Sequence, residues 1–247
     1  MTDVALYRDA DWLFDQVITQ GKTIATVAQE FGWTWRVVEK WVQIYGLGDN
    51  NFRSLKRLSP QQEELVRGSI LGDGHIAKND CFIVSHCAAQ HDYLFWKYEL
   101  LKDCCKRAPA HYAGGTGVIH GQVCDYQDSW RFNTRRLDDL HVLRGIDTAE
   151  LITHLSDFSA AIWFLDDGYR DKWTWDLCLG NLNDSARQAT YQWLRDHNLD
   201  FAIRKDKRYI RLHNQSSRDI DQLILANIPA GLDVVQKKIG NKGGDAQ

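Results

Sequence analysis

Two short stretches, Leu71-Gly-Asp73-Gly74 and Leu165-Asp-Asp167-Gly168, each set a carboxylate between an apolar helical run and a glycine. An Asp at a helix C-terminus faces the negative end of the helix macrodipole, so its charge stands against the local field. Taken singly, each reads as an ordinary helix stop, with the glycine in the left-handed conformation. Two of them, in equivalent places of a repeated unit, read differently. If the two helices pack side by side, Asp73 and Asp167 meet, and carboxylates that close repel unless a cation or proton intervenes. Oxygen ligands suit a hard divalent ion, Mg2+ above all. Gly68-Ser-Ile-Leu-Gly72 offers a small-residue ridge for the approach, and Ser159, Ala160 and Ala161 face it. Trp163 and Phe164 are expected to point into the core of the second unit.

The elements that must carry these groups follow from pattern. Ser59-Pro60-Gln-Gln62 begins the first helix as a capping box with proline at its first position. Strands are expected near Cys81–His86 and Trp130–Thr134, with an aromatic-rich helix from about Gln90 to Lys102 between them. The order helix, strand, strand, helix, strand, strand then recurs. Its second copy runs through a helix near Asp157–Asp166, strands near Trp173–Leu179, a helix from Asp184 to about His197, and strands at Phe201–Arg204 and Arg208–His213. An internal duplication of this kind predicts a pseudo-two-fold molecule.

Leu65-Val-Arg-Gly-Ser-Ile-Leu-Gly-Asp73-Gly74 and Ala160-Ala-Ile-Trp-Phe-Leu-Asp-Asp167-Gly168 resemble the paired motifs of LAGLIDADG homing endonucleases, in particular the single-chain branch encoded in group I introns. Phe82-Ile-Val-Ser-His86, the following His91 to Leu101 segment, Ile228-Pro229 and Lys237-Lys238-Ile239 add to the likeness, which covers Leu58 to Ile239. The resemblance implies an α+β fold of two αββαββα halves, 58–147 and 148–247, with the motif helices at their interface. It implies two or three Mg2+ ions shared by Asp73 and Asp167, with Mn2+ or Ca2+ able to take their place in binding. The carbonyls of Gly72 and Asp166 are further candidate ligands. A basic residue is expected by each scissile phosphate: Lys238, with Lys237 beside it, in the second half. The lysine expected just before the second motif is missing, and Arg144 is the nearest substitute. His75, directly after the first motif, is a candidate neighbour of the ions.

The implied activity is a double-strand break in a long asymmetric DNA target, made by one chain acting as a monomer. DNA reading in the family uses two saddle-shaped sheets, which here nominates Lys78, Arg131, Asn133, Arg135, Lys172, Arg204, Lys205, Lys207, Arg208, Tyr209, Arg211 and His213. Tyr209, Arg211 and His213 share one strand face above Ile210 and Leu212. Ahead of the repeats, residues 1–57 form an expected all-α helix-turn-helix domain. In it Ala28 and Gly32 stand at the crossing and the turn, Val27, Phe31, Val38 and Trp41 form the apolar side, and Thr34, Trp35, Arg36 and Lys40 face DNA. The alternative is a non-cutting nucleic-acid binder, an intron RNA maturase or a regulator, so the chain's own intron RNA stays open as a second partner.

Composition bounds the rest. The chain of 247 residues is 44% apolar with a net charge of −3, so any nucleic-acid surface must be local. No apolar run reaches a membrane span, and the opening MTDVALYRDADW has no basic segment before an apolar one. A cytoplasmic or organellar location without secretion, and no obligate protein partner, are expected. Cys81, Cys87, Cys104, Cys105, Cys124 and Cys178 lack zinc spacing and are expected to be reduced.

Overall fold

The computed structural model describes residues 6–45, 47, 57–119, 122–205 and 208–240. It divides into two compact units, Met1–Arg57 with Arg136–Asp138, and Leu58–Arg135 with Asp139–Gln247. In the first unit, α1 (Ala10–Phe14), α2 (Ile24–Glu30) and α3 (Trp35–Ile44) surround Leu13, Val27, Ala28, Val38, Val42 and Leu47. Asp9 caps α1 and Thr23 caps α2 through their side-chain oxygens. Gly32 turns the chain between α2 and α3 at a φ of 68°, a conformation open to glycine without a Cβ penalty. Val42 takes the deep position expected of Trp41. Phe31 sits at the rim, 39% exposed, stacked on Trp33 and edge-on to Trp12.

The second unit opens on α4 (Pro60–Leu71), begun by the Ser59–Gln62 capping box. Then come β1 (Gly74–Ile76), β2 (Phe82–Cys87), α5 (His91–Leu101), β3 (Ala110–Tyr112), β4 (Gly115–Ile119), β5 (Gln122–Tyr126) and β6 (Ser129–Asn133). After α6 (Asp138–Gly145) and α7 (Thr148–Thr153) the plan repeats with α8 (Asp157–Asp167), β7 (Gly168–Arg170), β8 (Trp175–Cys178), α9 (Asp184–Asp196), β9 (Phe201–Ile203) and β10 (Tyr209–Leu212). Helices α10 (Asn214–Asn227) and α11 (Asp233–Lys238) close it. The two antiparallel sheets have matching orders, β1-β2-β6-β3 and β7-β8-β10-β9. This is the expected α+β architecture of two pseudo-symmetric halves. Among the described residues, the β4–β5 hairpin has no counterpart in the second half. Its Gly114-Gly115-Thr-Gly117 lead-in breaks the alternation by which strands are read from sequence. Among the described residues, no helix is long and apolar enough to cross a membrane.

Helices α4 and α8 pack along their lengths, and small residues allow it. A Cβ on Gly68 would overlap the carbonyl oxygen of Ser159, and one on Gly72 would overlap Asp166 Cβ. Ser159 Oγ donates to Glu64 O at 2.8 Å, a side-chain bond from one helix to the other's backbone. Every residue from Phe158 to Leu165 is buried, so α8 is covered on all sides. Trp163 and Phe164 are in the core as expected, Phe164 edge-on to Trp175. The expected left-handed glycine stop does not occur at either motif. Gly168 is extended, with φ −81°, and among the described glycines only Gly21 and Gly32 have positive φ. Glycine is needed at 74 and 168 for approach: a Cβ on Gly74 would stand 2.7 Å from the Phe82 ring, and one on Gly168 would overlap Phe164 O. Gly68→Val is expected to destabilise the protein by about 3 kcal/mol, because overpacking at a backbone contact outweighs any gain in helix propensity. Urea unfolding would show it, and an unchanged midpoint would deny the close approach.

Candidate active site

Asp73 leaves the end of α4 half-exposed, with its side chain 37% accessible. Its Oδ2 lies 3.2 Å from Nδ1 of His86, a ring on β2 with no exposed side-chain surface. Nδ1 is thus paired with the Asp73 carboxylate, while Nε2 of His86 has no hydrogen-bond partner among the described residues. Asp166, one residue before the second motif acid, turns its carboxylate across to the first half. Lys97 Nζ donates to both of its oxygens at 2.8 Å. Tyr93 Oη donates to Oδ1 at 2.9 Å, and the Asp73 amide to Oδ2 at 3.4 Å. Both side chains of the Lys97–Asp166 pair are fully buried. A buried charge pair persists only when its remaining lone pairs and protons are satisfied, and here Tyr93 and the backbone help to do so.

Asp167 ends α8. Lys238, on α11, donates from Nζ to the carbonyls of Leu165 and Gly168, both at 2.6 Å, and so binds the C-terminus of the second motif helix. Burial, with the charges of Asp73 and then Asp166, pushes the Asp167 carboxyl up to about 6, against the pull of Lys238. Burial draws Lys238 down to about 8, against Asp166, Asp73 and Asp167. For Asp73 burial also opposes ionisation. The nearby His86 ring and the ammonium groups of Lys97 and Lys238 outweigh it and hold the carboxyl below its ordinary value. The two motif acids therefore share one electrostatic site, unequally.

The sequence profile of the LAGLIDADG DNA endonuclease family matches residues 63–220, which include both motif helices and both acids. The chain belongs to that family. Among solved structures, the homing endonuclease I-WcaI bound to its DNA recognition sequence is similar in fold, with a TM-score of 0.59 and 19% identity, covering 74% of this chain and 87% of that one. Among curated proteins, Protein RecA of Mycolicibacterium chitae is 28% identical over 168 residues, 60% of this chain and 38% of the relative. Protein RecA of Mycolicibacterium flavescens is 27% identical over 169 residues, 60% and 39% respectively. The chain thus spans about two fifths of the length of these relatives.

Within this LAGLIDADG frame the halves are chemically unlike. Pairing Gly74 with Val84 and Gly168 with Leu177 places His86 opposite Leu179 in the duplication. Lys97 is the seventh residue of α5, and the seventh of α9 is Thr190. Tyr93 matches Ala186 in the same way. The first half alone supplies the donors Tyr93 and Lys97, and the second half supplies their acceptor Asp166. Sequence reading missed His86, Lys97 and Tyr93, although one signal was present. Tyr93, Leu94, Lys97 and Leu101 form the buried stripe of α5, and a lysine in such a stripe demands a partner.

The other nominated residues fall in three groups. Lys237 is exposed beside Lys238. Arg144 does not stand free as the first half's cation: its guanidinium is held 2.9 Å from Asp80. The ring that reaches Asp73 is His86, while His75 is exposed on β1. On the first sheet, Arg131 and Asn133 are exposed at alternate positions of β6, and Arg131 lies over the Tyr112 ring. Arg135 is half-buried past the strand, and Lys78 is exposed between β1 and β2. On the second sheet, Arg211 grips Asp176 with two bonds of 2.7 Å and Arg204 joins at 3.2 Å. Two nominated readers are thereby fixed in place. Tyr209 is half-buried, whereas Lys205, Arg208 and His213 are exposed, as is Lys172 over Trp173. Lys207 lies outside the described residues. Trp173 is 59% exposed while Trp175 is fully buried, so only one of the two tryptophans is core. In the first unit Thr34, Trp35, Arg36 and Lys40 are all exposed on or beside α3.

Proposed function

We propose that this chain is a site-specific homing endonuclease that makes a double-strand break in a long asymmetric DNA target by divalent-metal-dependent phosphodiester hydrolysis. One observation carries the reading: the two motif acids follow helices α4 and α8, whose backbones approach closely at Gly68 and Gly72, so that the charge of Asp73 bears on Asp167. A cation would relieve the charge that Asp73 places on Asp167. The donors fit one, since Asp73 and Asp167 are hard oxygen ligands, and the buried His86 ring offers Nδ1 beside Asp73 at 3.2 Å. A bound divalent ion would supply a water nucleophile and stabilise charge on the phosphate and the departing oxygen.

The residues of the chain do the rest. Asp73 and Asp167 would hold the ions between the halves, with the Gly72 and Asp166 carbonyls as further ligands. Lys238 keeps positive charge at the end of α8, and its Nζ can hold or release a proton near neutral pH. Lys97 is the buried cation of the first half, held by both oxygens of Asp166 and not turned to a phosphate as Arg144 was expected to be. The exposed faces of the two sheets meet the DNA, the first through Arg131 and Asn133. The second does so through Tyr209, His213 and the Asp176-held arginines, whose spare N–H groups reach bases or phosphates. The module 1–57 adds contacts through α3, and 58–147 and 148–247 act as the two halves. Because both acids lie in one chain, a monomer suffices. Cleavage of a randomised target library in Mg2+, followed by sequencing of the ends, tests this. Tight DNA or intron RNA binding without cutting would turn the reading to a non-cutting binder.

The raised Asp167 makes a further prediction about pH. A carboxyl whose pKa is raised from 3.8 to about 6 by folding holds a proton between those values that the unfolded chain gives up. Its contribution to stability is therefore lost as pH rises through about 6. Ion binding replaces that proton. The rise in Tm on adding Ca2+ should grow from pH 5 to pH 7, with apparent affinity gaining about tenfold per pH unit below the pKa. A rise independent of pH would remove Asp167 from the metal site.

A further inference from the structure

We infer that His86 is a nitrogen ligand to the cation held by Asp73, so that the first half of the site favours a first-row transition ion over Ca2+ or Mg2+. The inference rests on the reading of Asp73 as a metal-holding acid and adds a ligand and a selectivity to it. Among the described residues, Asp73, His86 and Asp166 are a group whose ligand atoms lie within 4.8 Å of one another. His86 is the unusual member. It occupies the inward row of β2 with Phe82 and Val84, and its side chain has no exposed surface. The Tyr93 ring lies 5.1 Å away.

A buried imidazole normally finds hydrogen-bond partners on both nitrogens, yet Nε2 of this one has none among the described residues and Nδ1 faces only the Asp73 carboxylate. Nδ1 and Asp73 Oδ2 are 3.2 Å apart. Two ligand atoms about 2.1 Å from one ion, in directions at right angles, stand about 3 Å apart. The pair thus has the separation of neighbouring corners of a coordination shell. Asp166 cannot join freely, because Lys97 occupies both of its oxygens. Its one contact with an inner ligand's residue is the Asp73 amide, which donates to Oδ2 at 3.4 Å. Ca2+ and Mg2+ prefer oxygen, while imidazole suits Mn2+, Co2+ and Zn2+. The second half has Leu179 at the matching position, so the preference belongs to one half.

The full chain loaded with Mn2+ should show directly bonded 14N in electron spin echo envelope modulation. His86→Leu, which copies the second half's residue, should abolish that coupling. It should also lower Co2+ affinity roughly tenfold to hundredfold, while Ca2+ affinity changes less than about threefold. Absence of 14N coupling in the wild type overturns the proposal, and does so even if His86→Leu fails to fold. Equal losses for Co2+ and Ca2+ also overturn it. If the wild type binds none of these ions, the metal reading of Asp73 falls as well. If it binds all of them through oxygen alone, only the nitrogen ligand is refuted.

Discussion

Asp73→Asn and Asp167→Asn should each reduce double-strand cleavage in Mg2+ by about three orders of magnitude or more, with DNA affinity nearly unchanged. Stabilising charge at the reacting phosphate is worth several kcal/mol, and each 1.4 kcal/mol is about tenfold in rate. The two variants should part company in stability. Folding raises the Asp167 carboxyl to about 6, so an ionised group there works against the metal-free fold at pH 7. Asn at 167 removes that opposition and should raise Tm. Asp73 is held below its ordinary value, so its charge is welcome, and Asn at 73 should lower Tm. An acid that the metal-free fold resists, as proposed for Asp167, would trade stability for activity. Gel assays on a nicked and an intact substrate, with thermal melts in EDTA, read both effects. Normal cleavage by either variant would end the assignment.

Lys97→Met should destabilise the protein by about 3–5 kcal/mol, the loss typical when one partner of a buried ion pair is removed. Methionine fills much of the same space, so the loss would come from the Asp166 charge left without its ammonium. Only Tyr93 and the Asp73 amide would then hold that carboxylate. The double variant Lys97→Met with Asp166→Asn should recover most of the stability, since no buried charge remains and the amide oxygen can still accept from Tyr93. Urea unfolding of the four members of this cycle gives the coupling directly. A loss below about 1 kcal/mol for Lys97→Met would mean that water or a rearrangement compensates the carboxylate.

The frame of this molecule is legible in its sequence because it is written locally. Ser59, Pro60 and Gln62 specify where α4 begins, and Gly68 and Gly72 announce a helix approached closely. Tyr209 to Leu212 alternate as a half-buried strand should. Local pattern also misleads. Gly74 and Gly168 look like left-handed stops, yet they are glycine to admit an aromatic ring or a carbonyl. The site is less legible because its contacts are distant in sequence. Lys97 meets Asp166 only through the α4–α8 packing, and nothing in the spacing of either residue names the other. Arg204 and Arg211 look like free readers until β8 brings Asp176 between them.

The Lys97–Asp166 pair also bears on how such a chain could be taken apart or rebuilt. Each member sits where its own half's twin lacks a matching charge: Gly72 stands in the place of Asp166, and Thr190 in that of Lys97. A homodimer built from the first half would bury two lysines facing glycines. One built from the second would bury two carboxylates facing threonines. Neither symmetric particle could discharge its interior, so half-swapping or domain shuffling must carry both residues together. The covalent joining of the halves is, in this chain, matched by an electrostatic lock that only an unequal pair can close.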